Sequence, residues 1–295
     1  MARLTFKQRF FEGRPPSQRP RRAAYALPTL FTAGNIFLGF LAILRSVEGA
    51  LLGATGQLGA NPHFEVAAKA IGAAVVLDGL DGRIARMTNT VSSFGREMDS
   101  LADVITFGIA PAVLAYAWGV QFVTPGGFLM DHRAGYFLAF IFLLCGAARL
   151  ARFNVQVNPI PKNPGRPDRK YFVGLPIPAA AGMVAAIVYA NDSVPLQWWI
   201  HSAVWLMLLA LLSFLMVSTW RYPSFKEINL KGPRSPLTVV FFGVIIYLIW
   251  NYSQPVLLTL ATLYVSTGIV IRAAGIIRRR FRPHPPPPQP EHLAS

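Results

Sequence analysis

The 295-residue chain is poor in charge and poorest in acid: charged residues make up 14%, with 13 Asp and Glu against 28 Lys and Arg. Hydrophobic residues reach 53% and mean hydropathy is +0.42. That composition excludes an ordinary water-soluble surface. Cysteine is almost absent. Cys145 stands alone in an apolar run, which excludes an intramolecular disulfide and a thiolate metal site. His63, His132, His201, His284 and His292 are scattered, so no histidine cluster is available to zinc. Any metal must therefore use oxygen ligands. A formal net charge of +15 would by itself suit nucleic acid, but combined with 21 Phe and positive hydropathy it points to lipid and excludes a nucleic-acid partner. The first 22 residues lack the apolar stretch of a cleavable leader, and no internal repeat stands out.

What is present is a series of long apolar runs. Crossing a bilayer takes about 20 mostly apolar residues per helix. Candidate spans lie near 27–47, 64–88, 94–120, 134–154, 172–190, 196–218, 236–251 and 255–274. The last two are separated by Asn251 to Gln254, a turn closed by Pro255. The pattern predicts an all-α polytopic membrane protein with about eight transmembrane helices. Of the 28 Lys and Arg, 25 fall on the two tails and the even-numbered connections, leaving Arg45, Lys69 and Arg133. The positive-inside rule then places both N and C termini in the cytoplasm. Residues 1–26 read as a basic cytoplasmic arm, 27–274 as the transmembrane catalytic domain, and 275–295 as a basic, then proline-rich, disordered tail.

Five of the 13 acids crowd between positions 78 and 103: Asp78, Asp81, Glu97, Asp99 and Asp103. Carboxylates within a membrane are costly and mark function by default. Asp78 and Asp81 are i,i+3 on the second helix, and Asp99 and Asp103 are i,i+4 on the third, so each pair shares a face. The polar segment 88–93 makes these helices antiparallel neighbours, and all four carboxylates are expected in one pocket. Four oxygen donors of this kind suit Mg²⁺, Mn²⁺ or Ca²⁺, with charge for two ions and hence a phosphate-bearing substrate. Gly79, Gly82 and Gly95 expose backbone beside the acids. Arg83 and Arg86, one turn further on, can pair with phosphate or with the acids themselves.

The run Asp78, Gly79, Leu80, Asp81, Gly82, Arg83, Ile84, Ala85, Arg86, followed by Gly95, Asp99 and Asp103 at their spacing, resembles the full signature of the CDP-alcohol phosphotransferases. The segments GNIFLGFLAI from Gly34, FGREMDSLADVITFGIAPA from Phe94, ARLARFNV from Ala148, VGLPIPAAAG from Val173 and YPSFK from Tyr222 are similar to the branch of serine phosphatidyltransferases. The likeness spans roughly 27–272. One departure is Thr29 after Pro28, where the branch carries Asn; Thr29, Thr32 or Asn35 is left to make that contact.

The resemblance implies transfer of a phosphatidyl group from CDP-diacylglycerol to L-serine with release of CMP, by an inner-membrane enzyme whose site faces the cytoplasm. It implies metal (Mg²⁺ or Mn²⁺, two ions) on Asp78, Asp81, Asp99 and Asp103, with Asp103 also the base for the serine hydroxyl. Donor binding falls to Gly79, Gly82, Arg83, Ala85, Arg86, Gly95 and Thr32. Serine binding falls to Arg149, Arg152 and Asn154, the arginines being i,i+3 on the fourth helix. The resemblance also implies a homodimer. Two alternatives stay open: another acceptor, such as glycerol 3-phosphate or inositol, and a cation or proton transporter. The remaining acids are assigned no chemistry: Glu65 and Lys69 are expected to pair, Glu97 to be solvated, and Asp131, Asp168 and Asp192 to lie in loops.

Overall fold

A computed structural model describes residues 22–88, 93–123, 132–157, 171–223 and 236–280. Within them the chain forms α1 (Arg22–Ala54), α2 (Pro62–Thr88), α3 (Ser93–Asp103), a π-helical turn (Val104–Ile109), α4 (Ala110–Gly119) and α5 (His132–Val157). There follow β1 (Tyr171–Val173), α6 (Ile177–Ala190), α7 (Trp199–Val217), β2 (Arg221–Pro223), α8 (Pro236–Asn251) and α9 (Ser253–Arg280). The molecule is helical, and α3, the π turn and α4 make one continuous rod.

Five helical segments among the described residues are long and apolar enough to cross a membrane: Thr29–Ala54, Phe94–Gly119, His132–Val155, Trp199–Val217 and Ser253–Ala274. Three expected spans fall short of that measure for different reasons. α2 has the length, 27 residues, but carries its acids and bases within it. α8, at 16 residues, rises about 24 Å. The fifth expected span, 172–190, is corrected more strongly: its helix begins only at Ile177 and, at 14 residues, rises about 21 Å. Pro176 and Pro178 withhold amide donors, and Gly174 adopts φ +79°, so the chain cannot be helical earlier. A Cβ at Gly174 would also meet the Met216 carbonyl. Residues 171–173 instead pair antiparallel with 221–223, Tyr171 opposite Pro223, a β ribbon that the all-α reading did not contain.

The π turn has a local cause. Pro111 can neither donate to the carbonyl four residues back nor sit beside it without a clash. The ladder shifts register just upstream, and the Ala110 amide donates to Ile105, five residues back. The turn begins immediately after Asp103. It brings Thr106 against α1, where its hydroxyl donates to the Asn35 carbonyl at 3.0 Å.

Helix association in lipid rests on close packing and hydrogen bonds rather than on expulsion of water. At Gly39 an added Cβ would lie 2.5 Å from Thr106 Oγ1 and 2.8 Å from Thr106 Cα, so α1 and the π turn touch backbone to backbone. Phe64, Phe107, Leu114, Trp118, Leu209 and Leu212 fill the centre. Phe37, Phe40, Leu44 and Leu51 on α1, with Phe137, Phe140 and Leu144 on α5, stay exposed, as lipid-facing residues do.

Helix directions follow from the side-chain contacts. Thr32 meets Asp81 and Asn61 meets Gly49, so α1 and α2 are antiparallel. Asn154 meets Ser100 while Tyr136 stacks on Tyr116, so α5 runs against α3 and α4. Tyr189 meets Ser253 and Met183 meets Thr262, so α9 runs against α6. α8 passes into α9 through Tyr252 alone, whose amide donates to Leu248; Ser253 and Gln254, expected in a turn, already belong to α9. All of the acids of the 78–103 window gather at one end of the bundle.

Candidate active site

α2 delivers Asp78 and α3 delivers Asp99 and Asp103 to that end. One carboxylate oxygen from each lies within 4.8 Å of the others. The i,i+4 spacing leaves Asp99 and Asp103 about 40° apart around their axis, which is why both reach the same point. All three line a cavity of about 1100 Å³ whose walls come from α2, α3, α5, α6 and α9. From the acids the cavity passes between Val75, Val76, Phe153, Leu257 and Leu260 and ends near Lys69 and Tyr189. It is acidic at one end, apolar along the middle, and polar again at Lys69, Tyr189 and Ser253.

Asp81 departs from the expectation that four carboxylates converge. Its i,i+3 offset from Asp78 turns it about 60° around α2, toward α1 rather than the cavity. There it is buried and accepts a hydrogen bond from Thr32 Oγ1 at 3.0 Å, outside the cavity wall. Thr32 thus serves Asp81 instead of facing the cavity. Gly79 lines the cavity, with open space where a Cβ would stand; Gly95 does not line it. Gly82, Arg83, Ala85 and Arg86 lie in the last turns of α2, and their side-chain surroundings fall outside the described residues.

Arg149 and Asn154 both line the cavity, the latter donating to Ser100 Oγ at 2.8 Å. Arg152, one turn from Arg149, is exposed and outside the wall, a correction to its pairing with Arg149. The same 60° offset explains it. Ser100, Arg96, Tyr189 and Tyr264 also line the site and were not singled out from sequence. Ser100 had a usable signal, since it falls between two acids of the motif. Tyr264 had none within the apolar run of α9.

Glu65 and Lys69 pair as expected, and Asp192 accepts from Gln254 at 2.8 Å. Asp131 and Asp168 lie outside the described residues.

The donor set fits a hard divalent ion. Among the described residues, Oδ1 of Asp103 and Oδ1 of Asp81 are buried without a hydrogen-bond partner. Three carboxylates at this separation repel one another and call for positive charge. Among the described residues Arg149 is the cation that is both in electrostatic range of Asp103 and in the cavity wall, yet it forms no ion pair with it within 4.0 Å. A metal ion at Asp78, Asp99 and Asp103 would answer that charge.

Residues 25–214 match the family profile described as CDP-alcohol phosphatidyltransferase. A protein of Helicobacter pylori strain 26695 named CDP-diacylglycerol--serine O-phosphatidyltransferase is 37% identical over 265 residues, covering 89% of this chain and 94% of its own. A protein of the same name from Saccharomyces cerevisiae is 39% identical over 156 residues, covering 52% of this chain and 50% of its own. An archaetidylserine synthase from Methanothermobacter thermautotrophicus is 34% identical over 200 residues, 67% of this chain and 70% of its own.

Proposed function

Since the chain belongs to the CDP-alcohol phosphatidyltransferase family, we propose that it moves the phosphatidyl group of CDP-diacylglycerol to the hydroxyl of L-serine, giving phosphatidylserine and CMP. The observation that carries this reading is the three-carboxylate cluster at the acidic end of a long cavity. A donor with a diphosphate head and two acyl chains needs that end and the apolar middle. Serine as the acceptor is supported by the names of the relatives.

Asp78, Asp99 and Asp103 would hold Mg²⁺ or Mn²⁺, and the unpartnered Oδ1 of Asp81 is the donor assigned to a second ion. When bound, the metal neutralises the diphosphate and stabilises charge on the departing CMP oxygen. Asp103 takes the proton of the serine hydroxyl. The serine oxygen forms its bond to the phosphatidyl phosphorus as the bond to CMP breaks, and CMP leaves with that electron pair. The reading is direct attack by the serine oxygen, with Asp103 as base rather than as a nucleophile forming a covalent enzyme intermediate. Arg149 faces the acceptor's carboxylate, and Asn154, tied to Ser100, braces α5 against α3. Gly79 leaves room for the donor's head. The apolar walls receive its acyl chains.

In the membrane, the reading is a protein of about eight spans in the inner membrane, with both termini and the site on the cytoplasmic side. The sorting of Arg96, Arg149, Arg152 and Arg272 to the acidic end supports it. The domain reading keeps a basic arm to residue 26 and a tail from 275, although helix extends from Arg22 and to Arg280. A homodimer belongs to the same reading.

The test is CMP release by purified protein given CDP-diacylglycerol, Mn²⁺ or Mg²⁺, and each alcohol in turn. Release with serine and not with glycerol 3-phosphate or inositol is the expected result. No release with any alcohol, from protein shown to be folded, rejects the enzyme reading.

A further inference from the structure

We propose that Tyr264 of α9 sets acceptor selectivity, closing the side of the cavity, opposite Arg149 and Asp103, that receives the acceptor's carboxylate. This rests on the serine reading above and names the residue that enforces it.

Arg149 lies in the cavity wall within electrostatic reach of both Asp103 and Tyr264. Its Nε is buried without a hydrogen-bond partner, and among the described residues it forms no ion pair. A guanidinium so placed is costly until an anion meets it, and its fork matches a carboxylate. In the serine reading the molecule whose hydroxyl approaches Asp103 is the acceptor, and a carboxylate a few bonds from that hydroxyl reaches Arg149. A hydroxy-amino acid satisfies both positions.

Tyr264 faces this point from a rigid mount. Its hydroxyl donates to the Pro223 carbonyl at 3.4 Å, and its ring leans on Tyr222 with centroids 6.0 Å apart. Tyr222 is fully buried and occupies the space beside Gly268, where any Cβ would collide with its ring. The β ribbon therefore anchors Tyr264 in the cavity wall that Arg149 also lines. Moreover, α9 lies beyond residues 25–214, the part matched by the family profile. The matched part contains every acid of the cluster. Arg149 lies inside the matched part and Tyr264 outside it, so the acceptor subsite draws on both.

The experiment varies serine at saturating CDP-diacylglycerol, and the reverse, with full-length protein. Tyr264→Phe is expected to raise the KM for serine about tenfold, with kcat and the KM for CDP-diacylglycerol within about twofold. Ethanolamine, which lacks the carboxylate, should lose its disadvantage relative to serine by a similar factor. Tyr264→Leu should enlarge both effects, its folding checked by thermal protection with CDP-diacylglycerol. An unchanged serine KM in Tyr264→Phe, or a rise confined to CDP-diacylglycerol, overturns the role of Tyr264 alone. Absence of serine-dependent CMP release in the unmutated protein sinks the acceptor reading itself.

Discussion

Neutralising Asp99 should stabilise the metal-free protein while destroying its activity. Three carboxylate oxygens within 4.8 Å form three like-charged pairs. At an effective dielectric constant of about 20, each ionised pair costs about 3.5 kcal/mol at that separation. Asp99→Asn removes two of the three, about 7 kcal/mol before screening. Because the cluster sits at the mouth of a large cavity, counter-ions relieve most of this, and about 2 kcal/mol is a reasonable remainder. That corresponds to a rise of about 3 °C in Tm for a protein of this size. Thermal unfolding followed by tryptophan fluorescence, with EDTA and then with saturating Mn²⁺, supplies the comparison. Asp99→Asn should melt later than the unmutated protein in EDTA, and Mn²⁺ should stabilise the unmutated protein more. A variant that melts earlier in EDTA, or an unmutated protein indifferent to Mn²⁺, refutes a cation-requiring cluster.

Asp103→Asn should abolish CMP release while CDP-diacylglycerol binding, measured by titration, stays within a few-fold; full activity removes Asp103 as the base. Thr32→Val leaves buried Asp81 without the donor it now has at 3.0 Å and should cost about 1–3 kcal/mol, read as a lower Tm; an unchanged Tm means that the bond contributes nothing. Gly39→Ala places a methyl 2.8 Å from the Thr106 Cα and should cost about 1–3 kcal/mol through separation of α1 from the π turn; a Tm equal to that of the unmutated protein contradicts the close contact. Stripping metal with EDTA should stop CMP release and excess Mn²⁺ or Mg²⁺ should restore it; turnover that persists in EDTA excludes metal dependence.

Much of this molecule could be read before any fold was known. Composition settled the solvent, because 53% apolar residues cannot be covered by 14% charged ones. The spacing of Asp99 and Asp103 placed them on one face, and in the fold they act as a pair. The expected tie of Glu65 to Lys69 is also local, one turn of one helix, and it forms. Where two residues stand i,i+4 on one helix, as these do, periodicity was sufficient.

What periodicity could not supply is the identity of the neighbour waiting on each face. Asp78 and Asp81 look equivalent in the sequence, yet 60° of rotation gives one to the cavity and the other to Thr32, 49 residues earlier in the chain. Arg149 and Arg152 divide in the same way, one into the wall and one to the outside. The β ribbon joins residues 171–173 to 221–223 across two intervening helices, and three residues carry no strand signal of their own. Tyr264 reaches the site only because α9 folds back along α6. A helix carries its own angular order in its residues, but which side chain meets which metal, hydroxyl or guanidinium is a relation between helices, settled when the bundle packs.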